Sequence, residues 1–392
     1  MKLIKKLAII TLILVVSQIS YIGITLGNAY YGVLLTILVF FILRGANFKI
    51  SFLLMLFLVA AFLSIQLNKI PVFFQPYQRF IIFVIIVGLI GPLFQNSHLK
   101  VFRSILFKTM NKVILIMVVL SFFGIAIGLP LMIGRGGYVG LFIHSMVLGP
   151  MSALAFLIAL YEAHLANNKR KYWIYLGLAA VSFIACVSAG SRSALLGCIA
   201  GGLFFYYKMN QGKVSRFMKM IIVIVGLGIL SFPLWESYTE RLLQKMDYAE
   251  EQGDNLATRS ALWEIRVAEF ESSPIVGVGF SSVDIRKDKK FDKKEGRIEP
   301  GSSWLALLSM TGLLGFIPVF LIVVKNITFL FKSQEQKMFL ALLGGMLMFF
   351  IIHMLAEGYI LSAGSGLFFY FWLLMGRIEI EKVEAKFNLG NL

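Results

Sequence analysis

The chain has 392 residues, of which 59% are hydrophobic and 15% are Asp, Glu, Lys or Arg. Because about a quarter of the residues of a soluble domain are charged, this composition excludes an ordinary soluble protein. The formal net charge of +17 would fit a nucleic-acid partner, but residues 236–303 hold 11 basic and 14 acidic residues and the remainder holds 26 and 6. The basic excess therefore lies in short loops between apolar runs, which is the pattern of a membrane protein, and no nucleic-acid partner is predicted.

Twelve apolar runs approach the ~20 residues that a membrane-spanning helix needs. They cover residues 7–26, 29–43, 50–66, 79–95, 113–130, 144–163, 172–189, 194–207, 218–235, 303–324, 337–356 and 362–376. The pattern predicts an all-α fold, a polytopic transmembrane helical bundle of about 12 spans with one long outward-facing loop. The predicted division is spans 1–9 in residues 1–235, an extracytoplasmic loop domain in 236–303, spans 10–12 in 304–376 and a cytoplasmic tail in 377–392.

Basic residues in the loops predict the orientation. With the N-terminus inside, the inside loops hold 22 Lys and Arg residues, and the short outside loops hold only Lys69, Arg79, Arg135 and Arg192. This bias predicts that both termini are cytoplasmic and that residues 236–303 lie outside. The basic segment 96–112 is expected inside, as an interfacial amphipathic helix in place of a plain loop.

Two outward arginines lie in loops that suit ligand binding. Arg135 lies in the glycine-rich stretch IGRGGY, which lets backbone approach a ligand closely. Arg192 lies in SAGSRSALLG between the seventh and eighth spans, where Ser191 or Ser193 is expected to cap the eighth. The alternative for both arginines is contact with lipid headgroups.

Residues 258–279, TRSALWEIRVAEFESSPIVGVG, are predicted to form a short helix within the long loop. Thr258 is the expected N-cap, Pro274 prevents continuation, and two glycines then allow a tight turn. One face collects two arginines backed by aromatic rings, namely Arg259, Trp263, Arg266 and Phe270. Because guanidinium binds phosphate in a bidentate manner, the outward arginines together predict a site for a lipid diphosphate. The alternative is a surface helix with solvated arginines.

Candidate bases flank the late spans. Glu299 lies in EPGSSW, where Ser302 and Ser303 are expected to cap the tenth span. His353 and Glu357 share a helix face near the outer end of the eleventh span, and a carboxylate there is costly unless it faces a polar cavity. Glu357 is therefore a candidate general base held by His353, and the alternative is a pair that only bridges helices.

Several motifs are absent from the sequence. It contains no Walker A loop, no HExxH, no GxSxG and no carboxylate pair of the kind that holds a metal on a nucleotide sugar. We therefore predict no metal site and no cofactor, and we expect a sugar donor to arrive already activated.

At these residues the chain resembles the O-antigen ligase and polymerase family of polytopic membrane proteins. The matching stretches are SAGSRSALL at 188–196, TRSALWEIRVAEFESSPIVGVGF at 258–280 and EPGSSWLALLSMTGLLGF at 299–316. The resemblance covers residues from about 180 to 376, and it implies that Arg192 and Arg259 bind the diphosphate of a polyprenyl-linked glycan. The family's ligases usually carry a His-Asn pair just before the late span, where this chain has Gly301, Ser302 and Ser303. That departure favours a polysaccharide polymerase and leaves the base unassigned.

The expected function is that of a metal-independent glycosyltransferase in the bacterial cytoplasmic (inner) membrane. It would join polyprenyl-diphosphate-linked repeat units of a surface polysaccharide on the outer face, with membrane lipids, a flippase and a chain-length regulator as further candidate partners. One alternative is a ligase that transfers a finished glycan to a lipid or protein. Another is a flippase for lipid-linked sugars, although transporters more often show paired repeats and broken helices, and no two halves of this sequence correspond.

Overall fold

A computed structural model describes residues 1–21, 27–68, 70, 75–134, 137–210, 257–284, 300–333 and 337–390, with scattered positions between 213 and 243. Two predicted site residues, Arg135 and Glu299, lie outside the described residues, and so does most of the predicted ninth span. Their predicted roles therefore stay predictions.

The described residues contain twelve α-helices, which we number in chain order. They are α1 Lys2–Ile19, α2 Ala29–Arg44, α3 Phe52–Gln66, α4 Pro76–Leu89, α5 Ser97–Ala126, α6 Ser145–Leu165, α7 Lys169–Ser188, α8 Arg192–Met209, α9 Ala257–Ser272, α10 Ser303–Lys332, α11 Lys337–Ala356 and α12 Gly366–Gly390. Two short antiparallel pairs join loops, with β1 Lys49–Ile50 against β2 Phe94–Gln95 and β3 Ile133–Gly134 against β4 Gly137–Tyr138.

The prediction of an all-α polytopic membrane fold is confirmed. Among the described residues, five helices are long and apolar enough to cross a membrane, namely α5, α6, α7, α10 and, from Met338 onward, α11. Helices α2, α3 and α4 are shorter but also apolar. Many large apolar side chains point outward from the bundle, as expected of surfaces that face lipid.

Helix α5 corrects the prediction for segment 96–112. The segment does not form a separate interfacial helix, because it is the first half of one continuous 30-residue helix. Arg103, one of the basic residues of this segment, is only 2% exposed and donates hydrogen bonds to the carbonyl oxygens of Gly88, Leu89 and Phe94 at 2.7–3.0 Å. Its guanidinium thus provides hydrogen-bond donors for Gly88 and Leu89, whose carbonyl groups at the C-terminus of α4 have no partner within that helix. It also binds the carbonyl group of Phe94 in β2.

Helices α8 and α11 pack closely and in opposite directions. Gly197 faces Phe349, and a Cβ atom at Gly201 would lie 2.6 Å from the carbonyl oxygen of Gly345, so glycine is needed for this approach. The antiparallel register places the N-terminus of α8, where Arg192 lies, at the same end of the bundle as the C-terminus of α11. Arg192 and the segment that follows α11 therefore share one end of the protein.

Candidate functional site

Helix α9 buries part of the face on which the two arginines were predicted to lie. It begins at Ala257, so the expected cap Thr258 falls in its first turn, and it ends two residues before Pro274, as predicted. Its buried positions are Leu262, Arg266 and Glu269, whereas Arg259 is only partly buried. The helix therefore presents its first turn, and not its whole arginine face, to the surroundings.

Arg259 and Glu357 form an ion pair. The Nη2 atom of Arg259 lies 2.6 Å from Oε1 of Glu357, and the two side chains are 17% and 18% exposed. Glu357 is the first residue after α11, so the pair joins α9 to the end of a spanning helix. Two residues predicted to act separately, one on the diphosphate and one as the base, are thus brought into direct contact at a place that a ligand can reach.

Ser303 holds the segment that carries Glu357. The backbone N–H and Oγ of Ser303 both donate to the Glu357 carbonyl oxygen, at 3.0 and 2.6 Å. The same hydroxyl accepts from the N–H groups of Tyr359 and Ile360. Ser302 is the N-cap of α10, as predicted, and accepts from Leu305 N at 3.4 Å. Both serines at the ligase His-Asn position therefore fix backbone, and the bridging role of Ser303 was not foreseen from sequence.

His353 is buried behind this segment. Its side chain is 1% exposed, its Nδ1 lies 3.1 Å from the Tyr359 hydroxyl, and its ring stacks on Phe349. Burial, reinforced by the nearby charge of Glu357, raises the pKa of Tyr359 well above its ordinary value, so this hydroxyl stays neutral. The structure thus gives His353 a partner other than the predicted Glu357 side chain, and any orienting effect on Glu357 acts through Tyr359.

Arg266 corrects the predicted set of diphosphate ligands. Its side chain is fully buried, and Nη1 lies 2.7 Å from Oε2 of Glu269, whose other oxygen accepts from Asp284 N at 2.8 Å. Burial raises the pKa of Glu269, although the Arg266 charge acts in the opposite direction. Seven residues along a helix advance about 10 Å, so the face that is accessible at Arg259 is inside the protein at Arg266. The structure therefore does not present Arg266 beside Arg259.

The turn after α9, residues 274–279, forms backbone hydrogen bonds with α10 at a point where that helix is interrupted. Gly312 has φ 59° and ψ −167°, so the helical backbone is interrupted there. Four hydrogen bonds of 2.8–3.2 Å cross from the turn to the break, joining Val278 N to Ser309 O, Gly279 N to Met310 O, Leu313 N to Pro274 O and Leu314 N to Ile275 O. The turn thus supplies the backbone partners that the broken helix lacks, which a membrane-embedded segment requires.

Glycines make this contact possible. Gly277 has φ 82°, and a Cβ atom there would lie 2.5 Å from backbone atoms of Met310 and Thr311. A Cβ atom at Gly312 would lie 2.3 Å from the Ile275 carbonyl oxygen. The predicted tight turn at Gly277 and Gly279 is therefore confirmed, and its structural purpose is to fix α9, and with it Arg259, against α10.

Arg192 lies at the first position of α8. Gly190, with φ 64°, lies in the tight connection between α7 and α8. The hydroxyl of Ser191 accepts a hydrogen bond from Ala194 N at 3.3 Å, so the expected N-cap is confirmed. The Arg192 side chain is half-buried. Its place at the helix N-terminus, at the same end of the bundle as Glu357, suits an anionic ligand.

A cavity of about 780 Å³ opens beside the Glu357 segment. Its wall includes residues 358–365, the start of α4, and Ser281, Pro300 and Met310. Among the described residues that line it, Arg79 is the only charged side chain, and its Nη1 donates to Ser281 Oγ at 3.2 Å. Arg79 was predicted only to be a cation of a short outside loop, and its exception to the predicted charge bias was the signal that could have identified it.

Comparison with known proteins bears on the middle of the chain. The family model described as O-antigen ligase matches residues 177–320. No curated protein matches the chain significantly. The matched region contains Arg192, α9 with Arg259, and the glycine turn with its partner break, whereas Glu357 lies beyond it. The chain is thus a multi-pass bundle of apolar helices in which residues 177–320 are similar to the O-antigen ligase family, and this match supports the resemblance found in the sequence.

Proposed function

We propose that this protein is a polymerase that joins polyprenyl-diphosphate-linked repeat units of a bacterial surface polysaccharide. The reaction would take place on the outer face of the cytoplasmic membrane, with both termini in the cytoplasm. The observation that supports the proposal is the ion pair of Arg259 and Glu357, in which a guanidinium and a carboxylate meet at one end of an apolar bundle.

The chemistry needs those two groups. An acceptor hydroxyl oxygen bonds to the anomeric carbon of the donor, the bond from that carbon to the diphosphate oxygen breaks, and the lipid diphosphate leaves with the electron pair. The hydroxyl proton passes to the Glu357 carboxylate. Arg259 and Arg192 stabilise the negative charge that develops on the leaving diphosphate, without a metal ion. A single displacement of this kind inverts the anomeric configuration.

The ion pair also couples donor binding to base activation. Glu357 is the counter-ion of Arg259 in the structure. A diphosphate that binds Arg259 competes with this carboxylate, because both are anions that take the same guanidinium donors. Binding of the donor thus releases Glu357, which becomes more basic at the moment when an acceptor hydroxyl has to be deprotonated.

Polymerase is favoured over ligase by the residues at the start of α10. Where ligases of the family usually carry His-Asn, Ser302 and Ser303 bind only backbone groups of the neighbouring segments among the contacts described above. No imidazole from that position is available to act on an acceptor. A flippase is less well supported, because the break in α10 is bridged by the backbone of the 274–279 turn.

Glycan accumulation in a deletion strain tests the proposal. Loss of a polymerase leaves single repeat units on the carrier lipid, outside the cytoplasmic membrane. Long chains that are complete but unattached would instead identify a ligase. Single units confined to the cytoplasmic leaflet would identify a flippase.

A further inference from the structure

A second cavity lies at the end of the bundle opposite to Glu357. It has a volume of about 740 Å³, and β1, the start of α3 and the later parts of α10 and α12 contribute to its wall. Ser303 at the start of α10 is bonded to Glu357, and Lys325 in the cavity wall lies near the other end of that helix. A helix rises ~1.5 Å per residue, so roughly 33 Å separate Ser303 from Lys325, close to the ~30 Å of the hydrocarbon core. The cavity therefore lies about one membrane thickness away from the Arg259–Glu357 pair, at the depth of the lipid headgroups.

The predicted orientation places this end of the bundle at the cytoplasmic leaflet. Lys49, Lys325 and Lys382 line the cavity, and all three belong to the basic residues of the predicted inside loops. The cytoplasmic leaflet carries anionic lipids, and basic pockets between spanning helices on that side bind their headgroups. The position of the cavity therefore suits a lipid of this leaflet.

Lysines determine the charge of the cavity. Lys49 and Lys325 are exposed, and neither side chain forms a hydrogen bond or an ion pair with the described residues. Lys382 is already engaged, because its Nζ donates to Asn326 Oδ1 at 3.0 Å and to Glu379 Oε2 at 2.9 Å. Glu379 is the one carboxylate among the described lining residues, and it thus has its own cation. The ammonium groups of Lys49 and Lys325 are left to face an anion.

Apolar side chains adjoin these lysines. Phe52 is 73% exposed and Ile50 48%, and both line the cavity, as do Ile322 and Val383. Free phosphate would leave these apolar surfaces uncovered, whereas an acyl chain that extends from a lysine-bound phosphate would pack on them. The cavity therefore fits an amphiphile with an anionic head better than a free anion.

We propose that this cavity binds one anionic phospholipid, with its phosphate on Lys49 and Lys325 and an acyl chain along Phe52. A zwitterionic headgroup would bring its own ammonium group beside the two lysines, where like charges repel, and phosphatidylglycerol has no such group. Ser51 and Gln95, also in the wall, can donate hydrogen bonds to its hydroxyl groups. The bound lipid joins α3, α10 and α12 and stabilises their packing. Its place in the cytoplasmic leaflet rests on the predicted orientation, but its binding does not.

Lipid binding by the purified full-length chain tests this inference. Delipidated protein in a neutral detergent is titrated with phosphatidylglycerol or with phosphatidylcholine of the same acyl chains, and native mass spectrometry measures the number of bound lipids and their dissociation constants. We expect one phosphatidylglycerol molecule to bind at least about 10-fold more tightly than phosphatidylcholine, as two lysines close to an anionic headgroup allow. Binding of phosphatidylglycerol should also raise the unfolding temperature, and phosphatidylcholine should not.

Three double variants locate the site. Lys49→Gln/Lys325→Gln should weaken phosphatidylglycerol binding about 30-fold, a factor of about five for each lysine. Lys49→Arg/Lys325→Arg keeps both charges and should bind like wild type. Lys169→Gln/Lys171→Gln is the matched control and should also bind like wild type, because it removes two exposed lysines on either side of the exposed Arg170, at the start of α7 and outside the cavity.

Two further measurements use wild type alone and do not depend on how well a variant folds. Inorganic phosphate and glycerophosphoglycerol, which carry the head chemistry without acyl chains, should not displace bound phosphatidylglycerol at millimolar concentration. A phosphatidylglycerol with a photoactivatable group on its head should label peptides that contain residues 49–53 or 322–325.

Each outcome supports or overturns the inference. Equal affinity for the two lipids overturns it, and so does an equal loss in the cavity and control variants, which would show a diffuse effect of net charge. Displacement by glycerophosphoglycerol would identify a soluble phosphoester as the occupant, and labelling confined to other segments would place the lipid elsewhere. None of these results bears on the polymerase proposal, which concerns the opposite end of the bundle.

Discussion

The guanidinium of Arg259 and the carboxylate of Glu357 lie 2.6 Å apart, joining residues 98 positions distant in the chain. Both side chains remain partly exposed, so solvent weakens the pair and a bound anion can replace one partner. The relationship makes different predictions for a base and for a mere counter-ion, because the two roles affect different kinetic constants.

Glu357→Gln keeps the shape of the side chain and removes its charge. We expect kcat to fall about 10²- to 10⁴-fold, the range for loss of a general base, and the KM for the lipid-linked donor to fall as well, because Arg259 loses its internal competitor. Steady-state kinetics on reconstituted protein measure both constants. Unchanged kcat in inserted protein would exclude Glu357 as the base and make Glu299 the better candidate, and a lower KM alone would identify a counter-ion.

Arg192 and Arg259 are expected to stabilise the leaving diphosphate. Alanine at either position should lower kcat about 10²-fold or more, as for loss of one transition-state contact. Lysine should rescue poorly because it lacks the fork geometry of guanidinium. Turnover of lipid-linked units by the four variants checks this, with Arg170→Gln as the matched control. Full activity of both alanine variants would show that neither arginine acts on the diphosphate.

Arg266 is expected to contribute to stability and not to diphosphate binding, because its side chain is buried against Glu269. Arg266→Met should destabilise the protein by about 3–5 kcal/mol, since it leaves a buried carboxylate without its partner. Adding Glu269→Gln removes that charge and still lets residue 269 accept from Asp284 N, so the double variant should recover much of the loss. Thermal unfolding in detergent, with activity per folded protein, measures both effects. A stable but inactive double variant would restore Arg266 to the diphosphate site.

The glycine turn gives a test of how α9 is anchored. Gly277→Ala adds a methyl group 2.5 Å from backbone atoms of α10, whereas Gly128, with φ 72°, has no atom within 4 Å of its would-be Cβ. Gly128→Ala should therefore cost only the backbone strain of about 1–2 kcal/mol. Gly277→Ala should lower the unfolding temperature more and reduce activity, because α9 carries Arg259. Equal shifts for the two variants would show that the close contact with α10 does not matter.

Hydropathy and helical spacing predicted most of the fold. Apolar runs locate α2, α3, α6, α7 and α11 to within a few residues, because lipid requires long apolar stretches whatever their tertiary partners. The prediction failed at Arg103 and Arg266, where charges expected at a surface are buried against carbonyl groups or a carboxylate. Periodicity predicts which residues share a helix face, but not how deeply each of them is buried. Only tertiary packing decides which turns of that face are covered.

The site was predicted only in part, because the sequence does not show which distant residues tertiary packing brings together. Arg259 was predicted from the helix face that it shares with Arg266 and two aromatic residues, and Glu357 from its place near the end of a spanning helix. Nothing in the spacing joins these two residues, which are far apart in the chain. Arg79 was visible as an arginine of a predicted outside loop, yet the cavity that it lines is assembled from α2, α4, α10 and residues 358–365, which only the fold brings together. The break at Gly312 was likewise hidden, because a single glycine in an apolar run does not reveal a backbone partner elsewhere.

Chain extension by purified protein tests the central claim most directly. Protein reconstituted in liposomes is supplied with lipid-linked repeat units alone, without ATP, nucleotide sugar or added divalent metal, and the products are separated by size. The account predicts a ladder of glycans that lengthens with time and is absent with the Arg259→Ala variant. Translocation of the units across the liposome membrane without any change in their length, by protein shown to be folded, would contradict it.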